Sequence, residues 1–92
     1  MATRRVVVGS RVGLHARPAS LFVRKASSLP IKVTIAKDGG NPVDARSILA
    51  VLALDVRGGQ EIILTAEGDG AEEALEELAG LVATDLDAPE NA

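Results

Sequence analysis

The segment Gly13-Leu14-His15-Ala16-Arg17-Pro18-Ala19 holds the only histidine of the chain, with an arginine two positions on and a proline directly after it. A ring nitrogen of His15 can act as a nucleophile, and a phosphoryl group is the electrophile its neighbours suit. Pro18 fits only the first turn of a helix, where its missing N–H is not needed, so His15 stands where a loop becomes a helix. Unpaired backbone N–H groups at such a start, those of Ala16 and Arg17, point outward and favour an anion. The planar guanidinium of Arg17 can swing toward the same oxygens and share their charge. These positive surroundings favour an uncharged ring with a lone pair available to phosphorus. Small residues at Ala16, Ala19 and Ser20 would leave the site open to another protein's active site.

Spacing alone serves equally well a histidine that simply caps a helix beside a solvated arginine. Other chemistries find less support. A hydrolase needs nucleophile, base and orienter together, and one histidine offers little choice. Gly9-Ser10-Arg11-Val12-Gly13 lacks the Gly-Lys-Ser/Thr ending of a phosphate-binding loop, which speaks against a nucleotide. Cysteine is absent, so disulfides and thiolate metal sites are impossible and the common zinc constellations cannot be assembled; neither metal nor cofactor is expected.

A second feature is the apolar stretch after Ser47, running Ile48-Leu49-Ala50-Val51-Leu52-Ala53-Leu54. Serine is a favoured N-cap, so Ser47 reads first as the cap of a short helix and only second as a regulatory site. On that helix Ile48, Val51 and Leu54 should face a sheet while Leu49 and Leu52 project elsewhere. Two projecting leucines beside an open histidine make a docking patch for a partner, unless the helix is buried all round.

The elements that position these residues follow from pattern. Val6-Val7-Val8 is a β-branched run stopped by Gly9-Ser10, hence a strand followed by a loop. A helix then spans Ala16 to about Ser28, ending before Pro30. Ile31, Val33 and Ile35 alternate with Lys32, Thr34 and Ala36 as in a strand with one buried face, and Asp38-Gly39-Gly40-Asn41 supplies a hairpin turn into a short strand from Pro42 to Asp44. After the Ser47 helix, Gly58-Gly59 turns the chain into a strand from Glu61 to Ala66, where Ile62 and Leu64 share a face. In the last helix Ala71, Ala74, Leu75, Leu78, Leu81 and Val82 form one stripe, opposite a face of Glu72, Glu73, Glu76 and Glu77 that reads as solvated. The order of strands and helices suggests a small sheet with helices on one face.

Ninety-two residues with 47% hydrophobic content are enough for one compact unit and no more; residues 1–86 are expected to form it, with 87–92 a frayed tail. The net charge of -3 comes from acids gathered after Glu61, whereas the first 25 residues hold Arg4, Arg5, Arg11, Arg17, Arg24 and Lys25. A basic third could meet an acidic protein surface or a phosphate. Nucleic acid is not an expected partner, because the domain is acidic overall and has a single aromatic, Phe22. No apolar run approaches the ~18 residues of a membrane helix, and the three valines before Gly9 are too few for a signal peptide, so a cytoplasmic location without membrane insertion is expected.

From about Arg5 to Thr84 the chain resembles the histidine-containing phosphocarrier family, HPr, of the bacterial phosphoenolpyruvate-dependent sugar phosphotransferase system. Gly13 to Ala19 is similar to that family's active-centre signature at every position. Ser47-Ile48-Leu49-Ala50-Val51-Leu52 resembles its serine-site helix, in which Gly often stands in place of Ala50 and methionines in place of the leucines. The resemblance implies an α+β open-faced sandwich, a four-stranded antiparallel sheet with three helices on one side, acting as a monomer. It implies that Enzyme I, charged by phosphoenolpyruvate, phosphorylates Nδ1 of His15, that Arg17 helps hold the group, and that the A domain of a sugar-specific enzyme II receives it. Both partners would dock on Ser20, Leu21, Arg24, Leu49 and Leu52.

In many relatives a dedicated kinase phosphorylates the serine matching Ser47, placing negative charge near the docking surface. The flank Asp44-Ala45-Arg46 and a longer turn from Asp38 to Pro42 depart from that pattern and count against it here. Two rivals to the sugar branch stay open, a carrier of a nitrogen-regulatory branch and a regulatory module that docks without carrying phosphate.

Overall fold

A computed structural model describes residues 1–84. The elements, in chain order, are β1 (Ala2–Val7), α1 (Ala16–Ser28), β2 (Val33–Lys37), β3 (Val43–Asp44), α2 (Ile48–Ala53), β4 (Glu61–Ala66) and α3 (Ala71–Ala83). Their types and order are those expected from the pattern. The tail expected over 87–92, and the end of the unit at 86, lie outside the described residues.

The four strands form one sheet in the order β1-β4-β2-β3, every neighbouring pair antiparallel. Leu64 in the central β4 lies opposite Arg4 of β1 and Ile35 of β2, and this register decides which side chains share a face. Ile62, Leu64 and Ala66 are buried, alternating with half-buried Glu61, Ile63 and Thr65. The buried row packs with Val33, Ile35, Phe22, Val51, Leu75, Leu78 and Val82 in an almost wholly aliphatic core. The helices therefore cover one side, giving the open-faced α+β sandwich. On the other side Arg5, opposite Ile63, reaches Glu61 at 2.8 Å and Asp38 at 3.2 Å.

Local readings need three corrections. The first strand begins at Ala2 rather than Val6, and Val8 falls outside it; Val8 is nonetheless buried, its N–H donating to Gln60 O at 2.9 Å. Ile31 precedes β2 instead of opening it. Ile48 is exposed rather than turned to the sheet, because α2 is only six residues long and lies against α1 and β3, so Val51 alone of the helix is buried. The acidic face of α3 is exposed as expected, and on it Glu76 pairs with Arg4 and Glu77 lies 3.7 Å from Lys25.

Candidate functional site

The loop between β1 and α1 is held by backbone contacts with distant segments. Gly9 donates to Val82 O at 2.9 Å, and Gly13 donates to Ser10 O at 3.1 Å to close a turn. Gly13 has φ +76°, and a Cβ there would stand 2.0 Å from Val56 O, so only glycine permits the approach. The next residue, Leu14, is buried, and its N–H donates to Val56 O at 2.9 Å. The segments around residues 14 and 56 thus run side by side, and one position outward from the bonded pair lie His15 and Asp55.

His15 is the N-cap of α1 in extended conformation, and its ring makes no capping hydrogen bond. The side chain is about one-third exposed, at 36%, and Nε2 lies 3.2 Å from Asp55 Oδ1. The contact is one of charge, a carboxylate oxygen beside a ring nitrogen, and not an aligned hydrogen bond. Asp55 is itself held from its other side, where an Arg57 guanidinium nitrogen stands 3.2 Å from Oδ2. Arg57, and to a smaller degree His15 and Lys37, hold the Asp55 carboxyl below the usual carboxylate range. Asp55 adopts φ +52°, a conformation that aspartate tolerates better than most residues.

The helix start behaves as the proline required. Pro18 is buried in the first turn, and Ala19 N–H closes the first helical bond to His15 O at 3.4 Å. The donors that this end leaves over are those of Ala16 and Arg17, directly beyond the histidine. Ala16 has φ +50°, a left-handed conformation that costs an L-residue about 1–2 kcal/mol. Ala16, Arg17, Ser20 and Arg24 are exposed, Leu21 is half-buried, and Ala19 is fully buried and contributes to the core instead of the opening.

Ser47 is the N-cap of α2, its Oγ accepting from Ala50 N–H at 3.2 Å. Leu49 is 78% exposed, and its helix neighbours Ile48 and Leu52 are partly uncovered. Because α2 ends two residues before Asp55, the leucines and the partner of the histidine ride on one segment. Arg4, Arg5 and Lys25 are paired with acids of other elements, whereas among the described residues Arg17 and Arg24 make no ion pair.

Sequence alone therefore brings His15, Arg17 and the helix start together, but it misses Asp55 and Arg57. A hint lies in Leu54-Asp55-Val56-Arg57-Gly58-Gly59, an acid and a base leaving an apolar helix ahead of a turn. Nothing in that run shows that it would lie beside residue 15.

Residues 2–84 match the family described as "PTS HPr component phosphorylation site". The phosphocarrier protein HPr of Streptomyces coelicolor is 59% identical over 95% of this chain and 94% of its own. The HPr-like protein Crh of Bacillus subtilis is 43% identical over 89% of this chain and 95% of its own. Among solved structures, a phosphocarrier protein HPr from Bacillus anthracis superposes with a TM-score of 0.83 at 44% identity, covering 88% of this chain and 95% of that one.

Proposed function

Since the chain belongs to the HPr family of phosphotransferase-system phosphocarriers, we propose that it accepts a phosphoryl group on Nδ1 of His15 from phosphorylated Enzyme I and passes it to the A domain of a sugar-specific enzyme II. The observation that carries this reading is the placement of the chain's only imidazole, partly exposed, at the N-terminus of α1 beside the unused N–H groups of Ala16 and Arg17.

The Nδ1 lone pair attacks phosphorus as the bond to the donor's own atom breaks, and that atom keeps the electron pair. The three phosphoryl oxygens then meet the N–H groups of Ala16 and Arg17 and the Arg17 guanidinium, donors already in place before the charge arrives. Transfer onward is the same displacement with the acceptor's nucleophile attacking. The chain needs no cofactor for either step and is itself the covalent intermediate.

Ser20, Leu21, Arg24, Leu49 and Leu52 form the surface on which both partners dock, an apolar centre with a basic rim. The partners act in the cytoplasm and the carrier works as a monomer; among the described residues no helix is long and apolar enough to cross a membrane. Ser47 serves as the cap of α2, and kinase control through it is not part of this reading.

Incubation with Enzyme I and labelled phosphoenolpyruvate tests the proposal. An acid-labile, base-stable label should appear on the wild type and vanish in His15→Ala. A protein that takes no label would be a docking module only, and one that labels but does not discharge to any sugar-specific A domain would belong to the nitrogen-regulatory branch.

A further inference from the structure

We infer that Asp55 is a positioning residue for phosphoryl transfer: its carboxylate, steadied by Arg57, stands beside Nε2 of His15 and favours the proton of the neutral ring there, so that the lone pair lies on Nδ1 and the positive charge formed on phosphorylation is balanced. This rests on His15 being the phosphoryl acceptor.

The geometry supplies each part. A neutral imidazole has one protonated nitrogen and one lone pair, and the partner of one nitrogen decides where the other's reactivity lies. A carboxylate oxygen 3.2 Å from Nε2 disfavours a lone pair on that nitrogen, so the proton of the neutral ring is favoured there and Nδ1 is the nitrogen left to react. Asp55 cannot drift away from the ring easily, because three constraints converge on it. Arg57 holds Oδ2 at 3.2 Å, Leu14 N–H is bonded to the carbonyl of the adjoining Val56, and Gly13 lies flat against the same carbonyl. Arg57 is tied in turn by its own N–H, which donates to Gln60 Oε1 at 2.8 Å.

The charge balance follows from the chemistry of the step. When the neutral ring forms the N–P bond through Nδ1 and keeps its Nε2 proton, the ring becomes cationic while the donor atom recovers its electron pair. The charge develops next to the Asp55 carboxylate, so the contact strengthens along the reaction. Transfer to the next protein returns the ring to neutrality, and the same proton stays on Nε2 throughout. With both side chains partly exposed, water screens the pair, and the effect is a modest factor rather than an all-or-none requirement.

The test uses the full chain with Asp55→Gly, which suits φ +52°, and Asp55→Asn, which keeps an acceptor oxygen without the charge. Thermal melting verifies that each variant is folded. Nitrogen-15 NMR of the unphosphorylated ring should show the neutral form protonated chiefly on Nε2 in the wild type, with that preference weakened in Asp55→Asn and lost in Asp55→Gly. Phosphorylation by Enzyme I should slow about 5- to 10-fold in Asp55→Gly and less in Asp55→Asn. An equal rate in Asp55→Gly, on a wild type that does take label, overturns the role of Asp55 and leaves the carrier reading intact. A wild-type ring protonated on Nδ1 also overturns it. No label on wild type, with the ring protonated chiefly on Nε2, overturns the carrier reading and with it the use of the pair in transfer.

Discussion

Gly13 presses its bare Cα against the carbonyl of Val56, where a Cβ would stand 2.0 Å from the oxygen. That contact brings residue 15 beside residue 55 across two segments some forty positions apart in sequence, and the Leu14 N–H bond to the same oxygen shares in it. Gly13→Ala must both push the segments apart and occupy φ +76°, so it should destabilise the protein by about 2 kcal/mol or more. Urea unfolding measures the loss. At temperatures where the variant is still folded, transfer should slow as well, because His15 and Asp55 no longer share a fixed frame.

Ala16 is an exception to the usual helix rule. Glycine for alanine inside a helix costs about 1 kcal/mol. At φ +50° the substitution also relieves a left-handed alanine, and the two effects nearly cancel. Ala16→Gly should therefore leave stability within about 0.5 kcal/mol of wild type, as read by thermal or urea melts. A loss of a full 1 kcal/mol would show that the residue behaves as ordinary helix.

The features legible in the amino-acid sequence are local ones. Pro18 demands a helix start, so it places His15 and Arg17 at one; the alternation of Val33, Thr34 and Ile35 marks a strand with one buried face; Ser47 caps the helix it precedes. What escapes depends on approach between segments remote in the chain. Asp55 carries no sign of residue 15, Ala16 has no turn-forming chemistry to announce its positive φ, and the exposure of Ile48 depends on which face of α2 meets α1 and β3. Val8, apolar and β-branched, is buried just past the end of β1, where its backbone still bonds to Gln60 and Gly59, a boundary that composition does not mark.

Arg17 separates function from fold. It is exposed in the first turn of α1, where a negative charge suits the helix dipole, so Arg17→Glu should match or slightly exceed wild-type stability, within about 0.5 kcal/mol. The same change sets a carboxylate against the incoming phosphoryl oxygens. Phosphorylation by Enzyme I should slow by at least about tenfold, with melting unchanged. Equal rates would remove Arg17 from the mechanism.

Leu49 and Val51 are two residues apart on α2 and should respond differently. Leu49 is 78% exposed and belongs to no core, so Leu49→Gln should leave stability nearly untouched while weakening binding to Enzyme I and to an enzyme II A domain about tenfold by calorimetry. Val51 is fully buried, and Val51→Ala should cost about 2 kcal/mol of stability through lost burial and a cavity. Similar affinity in Leu49→Gln would move the docking surface away from α2.

Glu76 ties α3 to β1 through its ion pair with Arg4, and the hydrogen bond from Arg4 holds its carboxyl below the ordinary value of 4.5. A group depressed in the folded state adds stability above its unfolded value and loses it as pH falls through the folded one. Between those values the unfolded chain binds more protons, so stability must fall with falling pH. The contribution should be whole at neutral pH, begin to shrink near about pH 5 and be gone once the folded carboxyl is protonated. Asp55, depressed by Arg57, titrates with the same sign. Urea melts of wild type and Glu76→Gln at pH 7, 4 and 3 isolate the pair. The difference between the two proteins should be largest at pH 7, small because both side chains are exposed, and should also narrow in high salt. A difference that stays constant across this range would mean that the substitution acts through something other than the charge of the carboxylate.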